Sequence, residues 1–301
     1  MTDLQTGELL ALATAMLWTL SSLAWTSAGK RIGALAVSFI RLVIAAVFMM
    51  AYCRVARGRW LPTDADARTW LLMGGSGFFG FFLCDIFLFK ALLLIGPRLS
   101  LLLFSLSPPI AAIVSWVCIN DELALRQWMA MGVTLAGIIW VVMEQRSSSE
   151  PPLLPGHRWM GIALGVLAAL TNGIGMVLSK KGIGGGQYDA MAATLIRAIV
   201  ALPGYIVLIT LWRRWPAIRA GSRDLRAVGI LTFGAAVGPF VGVGLSLIAL
   251  QHAPTGVVAT IIATMPVLIL PFSILLYHER VSPRAVGGAI VAVAGIAMLM
   301  L

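Results

Sequence analysis

Charge is what this sequence has least of. Asp, Glu, Lys and Arg make up 11% of its 301 residues while 60% are apolar, against about 25% charged in an average soluble domain, which excludes a water-soluble fold for most of the chain. Its three histidines, His157, His252 and His278, fall in loops or at the ends of apolar segments. They offer no metal-ligand spacing and no base beside a nucleophile, so neither a metal site nor a catalytic residue is expected. The three cysteines, Cys53, Cys84 and Cys118, sit in separate apolar segments, which excludes a disulfide framework and leaves them as small packing residues. No G-x-x-x-x-G-K-[ST] run occurs, so ATP cannot drive this protein through that motif, and no cofactor is expected. The net charge of +10 is concentrated in loops such as Arg54, Arg57, Arg59 and Arg213, Arg214, Arg219, Arg223, Arg226. Basic loops around apolar segments suit an anionic lipid surface rather than nucleic acid.

What the chain does have is long apolar runs. Ten of them, each roughly the 17 to 25 residues that cross a bilayer, cover 9–28, 34–53, 69–93, 98–119, 126–143, 159–179, 189–212, 227–250, 255–276 and 283–301. The residues before the first carry Asp3 and Glu8 but no basic residue, unlike a cleavable signal peptide, and the segment is expected to stay. The chain is also written twice. Pro97, Pro109 and Glu122 return 157 positions later as Pro254, Pro266 and Glu279, Phe39-Ile-Arg41 returns as Leu195-Ile-Arg197, and Ala136-Gly-Ile returns as Ala294-Gly-Ile. The expected organisation is a first five-helix repeat at 1–143, a polar linker at 144–158 with Ser147-Ser-Ser-Glu-Pro-Pro, and a second repeat at 159–301. An odd number of spans per repeat makes the second enter the membrane from the opposite side. The fold class expected is therefore all-α integral membrane, ten transmembrane helices as two inverted repeats, with a substrate site between them.

Loop charges bear on orientation. With the N-terminus inside, seven basic residues (Arg54, Arg57, Arg59, Arg68, Arg126, Lys180, Lys181) lie in inner loops and twelve in outer ones, which opposes the positive-inside rule. A Trp in the first helix, an Arg early in the second, a Pro midway along the fourth and a Glu before the fifth together resemble the EamA-type branch of the drug/metabolite transporter superfamily, over nearly the whole chain. The run of residues also resembles that branch's YddG-type exporters of aromatic amino acids. The resemblance implies a ten-helix exporter in the cell membrane, the inner membrane of a bacterium, with both termini cytoplasmic. It departs from strict repetition, since Trp18 is matched by Thr171 and Gly288 by Ala130.

Several residues are candidates for lining the site. Thr14, Trp18, Ser21, Ser22 and Trp25 share one helix face, matched in the sixth segment by Gly165, Ala168, Asn172, Gly175 and Ser179. A polar stripe faces either a cavity or a packing seam of small residues. Ser100, Phe104 and Ser107 share a face before Pro108 and Pro109, and Thr260 and Thr264 precede Pro266. A proline frees the carbonyl four residues back, here Ser105 and Ile262, so both segments are expected to kink, and shaping the helices is the larger role. Asp85 is the acid well inside a span, at a cost of about 3 kcal/mol. It is read either as titrating during transport or holding a substrate amine, or as a carboxyl kept neutral by burial. Lys90 is about 140° round the helix from it, and Lys90, Arg41 and Arg197 are read as snorkelling. Phe78, Phe82 and Ser246 complete the candidate wall. Glu122 and Glu279 are read as helix caps.

Gly74-Gly-Ser76-Gly77-Phe-Phe-Gly80 satisfies G-x-G-x-x-G without a βαβ context and resembles a Ser-protease motif without a His. Close helix packing is the simpler reading. The sequence thus points to a secondary transporter lined by segments one, three, four, six, eight and nine, with five and ten peripheral. One acid and no base at mid-depth suit a neutral or zwitterionic small-molecule substrate, amino acids with aromatic or other apolar side chains above all, and disfavour phosphorylated solutes. A nucleotide-sugar or drug transporter of the same fold and an intramembrane serine hydrolase are the alternatives. Proton coupling, direction of transport and the choice between monomer and homodimer are left open.

Overall fold

Hydrocarbon offers a backbone no hydrogen-bond partner but the chain itself, and the chain answers with helix. The computed structural model describes residues 3–144, 158–184, 188–277 and 282–300, and every long element among them is helical. Among the described residues nine helices are long and apolar enough to cross a membrane: α1 (Asp3–Ile32), α2 (Ala34–Arg57), α3 (Ala67–Leu92), α4 (Leu99–Ile119), α5 (Leu125–Glu144), α6 (Arg158–Gly182), α7 (Ala190–Leu211), α8 (Leu225–His252) and α9 (Thr255–Phe272). Where the tenth span is expected there is a shorter apolar helix, α10 (Pro283–Leu299). The basic stretch after α7 forms a short surface helix, Trp215–Arg223.

The repeat is visible in local structure. The third helix of each half opens on an aspartate cap, Asp66 accepting the Thr69 N–H at 2.9 Å and Asp224 accepting the Ala227 N–H at 3.0 Å, which satisfies one of the amides a helix start leaves free. Each third helix then widens into a π-helical turn, at Phe78–Leu83 and at Ala236–Gly242. The fourth helix of each half is broken. In α4 the break precedes the Ser107–Ile119 piece, and in α9 it falls between Thr255–Ile262 and Met265–Tyr277. Pro108, Pro109 and Pro266 thus stand in the first turn of a new helix, where the missing N–H has no intrahelical partner to lose. They start the second piece rather than bend a continuous one.

Packing crosses between the halves. The face of α8 that carries Gly234, Gly238 and Gly242 lies on Trp25, Ser21 and Trp18 of α1, with the Ser21 hydroxyl donated to the Gly234 carbonyl at 2.6 Å. In the same way α3 lies on α6, where Ser76 donates to the Gly175 carbonyl at 2.7 Å. That bond commits the Ser76 hydroxyl to helix packing. Between these pairs α2 meets α7 around buried Met49, Leu195 and Tyr205. On the periphery α5 crosses α10 at the glycines of the repeated Ala-Gly-Ile. A Cβ at Gly137 would lie 2.3 Å from the Ala292 nitrogen, and one at Gly295 would lie 2.5 Å from the Thr134 nitrogen. Thr134 and Ala292 are repeat equivalents, as are Gly137 and Gly295, so the contact is reciprocal, and its order makes the two helices antiparallel where they cross.

Backbone against backbone leaves no room for a side chain, and overpacking of this kind costs about 1–3 kcal/mol. Gly137→Leu or Gly295→Leu is therefore expected to lower the thermal midpoint of the detergent-solubilised protein. Gly132→Leu, on the same helix but with open space around it, is expected to leave the midpoint unchanged.

Candidate functional site

A cavity of about 520 Å³ lies between the halves. Its wall takes Trp18, Ser22 and Trp25 from α1, Phe104 from α4, Asn172 from α6 and Ser246 from α8. No described residue of α5 or α10 lines it. The sequence reading left α2 and α7 out of the wall, and both are in it, bringing Arg41, Arg197 and Tyr205. That corrects the expectation of a wall with no base.

The charges are arranged unequally. Arg41 Nη2 donates to Asp85 Oδ2 at 2.6 Å, and the Tyr205 hydroxyl lies 2.7 Å from the same oxygen. The Arg41 guanidinium also stands 4.0 Å from the centroid of a Trp25 ring. Asp85 is thus neither isolated nor dependent on Lys90, which lies over the Trp212 ring. Arg41 does not snorkel: its guanidinium is turned onto the Asp85 carboxylate, and the contact offsets part of what taking both charges out of water costs. Arg197 does not snorkel either. It is 7% exposed, its guanidinium carbon stands 4.1 Å from the Phe81 ring centroid, and its Nε has no hydrogen-bond partner. Its backbone is pinned by Gly77, where a Cβ would come within 2.2 Å of the Arg197 carbonyl oxygen.

The remaining candidates divide. Trp18, Ser22, Asp85, Phe104, Asn172 and Ser246 face the cavity. Phe78, Phe82, Ser107, Thr260 and Thr264 do not. Phe78 is 39% exposed on the outer surface, and Phe82 packs on Tyr205 with centroids 5.4 Å apart. The π turn is the reason: it inserts a residue into the helix, which rotates the face by about 100° relative to an α-helical reading. Gly80, Phe81 and Cys84 therefore face the cavity in their place. Ser107 is buried behind the wall, accepting from Asn172 Nδ2 at 2.7 Å and so orienting that amide. The Thr260 and Thr264 hydroxyls return to the Gly256 and Ile261 carbonyls at 2.6 Å each, filling the acceptors of their own helix turns.

One cluster escaped sequence reasoning. Asp121, in the loop between α4 and α5, binds Lys180 Nζ at 2.8 Å through Oδ1, and its Oδ2 accepts the Thr255 N–H at 2.7 Å and the Thr255 hydroxyl at 2.8 Å. Lys180 also donates to the Ala253 carbonyl at 3.0 Å. The cluster ties the first half to the C-terminal end of α6 and the start of α9, next to the cavity residues Ser179 and Leu250. Beyond it lies a second depression of about 390 Å³ lined by Arg68, Asn120, Lys180 and Leu250. The sequence drew attention to Glu122 instead, but α5 begins three residues later and its start is capped by Gln127, whose side chain accepts the Ala124 N–H. Glu279 lies outside the described residues. Asp121 carries no repeat signal, because its equivalent is His278. Glu8, read as part of a polar N-terminal tail, lies inside α1 and is fully buried with neither carboxyl oxygen hydrogen-bonded. No group of three or more metal-ligating side chains occurs among the described residues.

The EamA-like transporter family model matches the chain twice, over residues 5–143 and over residues 159–301. No curated protein matches it. A solved structure described only as the crystal structure of a protein superposes with a TM-score of 0.73, covering 97% of this chain and 95% of that one at 17% sequence identity. Identity that low speaks for a shared fold alone.

Asp121 gives the site a pH signature. Burial pushes its carboxyl up, but the bond from Lys180 and the two from Thr255 prevail and hold it below the usual value of 3.8. A carboxylate depressed in the folded state contributes stability above its unfolded value, and that contribution fades as pH falls through the lower folded one. Asp121→Asn is therefore expected to cost about 1.5–3 kcal/mol at pH 7, the usual range for bonds to a charged group. The gap in melting temperature between variant and wild type should close as the pH is taken below about 4.

Proposed function

The chain belongs to the EamA-like transporter family, and we propose that it is a secondary transporter exporting small neutral or zwitterionic metabolites, chiefly amino acids with aromatic or other apolar side chains. The reading includes ten spans in two inverted repeats, both termini cytoplasmic, in the inner membrane of a bacterium. The observation that carries it is the cavity, walled by both halves and closed at one end by contacts that themselves run between the halves.

Inversion is supported by the antiparallel, reciprocal contact of α5 and α10, which is what a two-fold axis perpendicular to those helices would produce. Movement is supported by the placement of irregular backbone. Both π turns and both helix breaks lie in helices that wall the cavity, and such interruptions are tolerated in a membrane where protein or a water-filled space surrounds them. The cavity lining runs from Gly29, Ala34 and Phe89 at one end to Met176, Ser179 and Leu250 at the other. The Asp121 cluster and Leu250 then separate it from the second depression. With the termini cytoplasmic, this is an outward-facing arrangement, and rocking one repeat on the other would break the Asp121 contacts and expose the cavity to the cytoplasm.

The wall supports the substrate class. Apolar side chains make up most of it, among them the rings of Trp18, Trp25, Phe81, Phe89 and Phe104, which suits an apolar side chain. Arg41 is neutralised by Asp85, leaving Arg197 as a single unpaired cation, enough for one carboxylate and too little for the several charges of a nucleotide-sugar. The buried carboxyl of Glu8 is a candidate for proton coupling, since opening the cytoplasmic end would bring water to it.

Counterflow from proteoliposomes decides the matter. Labelled phenylalanine or leucine is expected to exchange, and an imposed pH gradient to shift its rate if protons are coupled. Removing the Trp18 ring (Trp18→Ala) would forfeit roughly 1.5–3 kcal/mol of aromatic burial, so apparent affinity is expected to fall about tenfold or more. Exchange of a nucleotide-sugar or a cationic drug, with none of any amino acid, would overturn the reading.

A further inference from the structure

A cation without an anion is the least explained feature of the cavity. Arg197 is nine-tenths buried and lines the cavity wall. It makes no ion pair and no hydrogen bond among the described residues, and its one recorded partner is the face of Phe81. Isolated charges in such surroundings cost several kcal/mol, and a cation–π contact returns about 2. Only an anion entering the cavity would complete its surroundings.

The acid of the same cavity wall is half used. Asp85 spends Oδ2 on both Arg41 and Tyr205, while Oδ1 accepts nothing among the described residues, and the residue lines the same cavity. Phe81 links the two. Its ring supports Arg197, its carbonyl lies 3.1 Å from the Tyr205 hydroxyl, and Asp85 follows it by four residues. A positive pole and a free negative pole thus line the same cavity, linked through Phe81.

We infer that Arg197 and Asp85 Oδ1 form a head-group site for α-amino acids, the guanidinium taking the carboxylate and the free carboxylate oxygen taking the ammonium. The inference rests on reading the cavity as an amino-acid site and says how that class is selected. Two bonds of about 1.5 Å join the nitrogen to the carboxylate carbon of an α-amino acid, a compact zwitterion whose two ends would each take a charge-assisted contact of about 2.8 Å. Gly80 lies beside Arg197 on this wall, where a Cβ would stand 3.4 Å from Nη2, so the missing side chain leaves space next to the guanidinium. The apolar side chain is then directed toward Trp18, Phe89 and Phe104. An Arg–Asp pair alone would serve structure; a second Arg with no partner, next to an acid with an unused oxygen, is a recognition arrangement.

Binding to the purified full-length protein, read by quenching of tryptophan fluorescence, separates the poles with three probes: L-phenylalanine, phenethylamine without the carboxylate, and 3-phenylpropionate without the ammonium. The wild type is expected to bind phenylalanine at least about tenfold more tightly than either analogue. Arg197→Gln should abolish the advantage over phenethylamine and keep the advantage over phenylpropionate, and Asp85→Asn should do the reverse. Should Asp85→Asn fail to fold because Arg41 loses its partner, the double variant Arg41→Gln with Asp85→Asn removes both charges and carries the same expectation. If phenylalanine binds and each variant weakens all three probes equally or not at all, Arg197 and Asp85 are structural and the head-group site is wrong. If no probe binds and none is transported, the amino-acid reading falls first and the head-group site with it.

Discussion

In hydrocarbon, a polar group without a partner inside the chain has no partner at all, and this constraint orders the whole molecule. Continuous helix satisfies the backbone over most of each span. Hydroxyls of Thr14, Thr19, Thr134 and Thr194 return to carbonyls four residues back in their own helices. Around the cavity between the halves lie both π turns, both helix breaks, the Arg41–Asp85 ion pair and the unpaired Arg197 guanidinium. The cavity is where the chain concentrates its exceptions.

The same constraint explains how two similar halves make one unlike site. Repeat-equivalent arginines, Arg41 and Arg197, occupy the paired second helices α2 and α7 and both reach the cavity, yet Asp85 stands against only one of them. Its equivalent in the second half is Val243. Two equivalent cations and one acid leave the pair on one side neutral while the other side carries charge. Asymmetry of charge within a symmetric frame gives a small solute an orientation, which a symmetric wall would not.

A second set of contacts has a different character. The α5 and α10 crossing brings backbone to backbone, a close contact away from the cavity that leaves no room for a side chain. The Asp121 cluster is a handful of hydrogen bonds at a loop, strong while buried and exchangeable with water once apart. A rigid reciprocal contact at the edge and a separable polar one at the end of the cavity are what the proposed rocking of one repeat on the other would use.

Much of this was written in the sequence. Span lengths follow from apolar runs because bilayer thickness fixes them, the two halves follow from repeated residues, and α5 and α10 were recognisable as peripheral. Trp18, Ser22, Asp85, Phe104, Asn172 and Ser246 could be placed on the right helix faces by a period of 3.6. Phe78 and Phe82 could not, because a π turn adds a residue and turns the face away, and nothing in local composition announces it. Ser107, Thr260 and Thr264 shared faces with wall residues but stood one layer behind. Proximity between helices was beyond reach altogether. Arg41 meets Asp85, and Lys180 meets Asp121, across 44 and 59 residues, and only the packed structure decides such pairs, because residue spacing within a helix says where a side chain points and not what stands opposite.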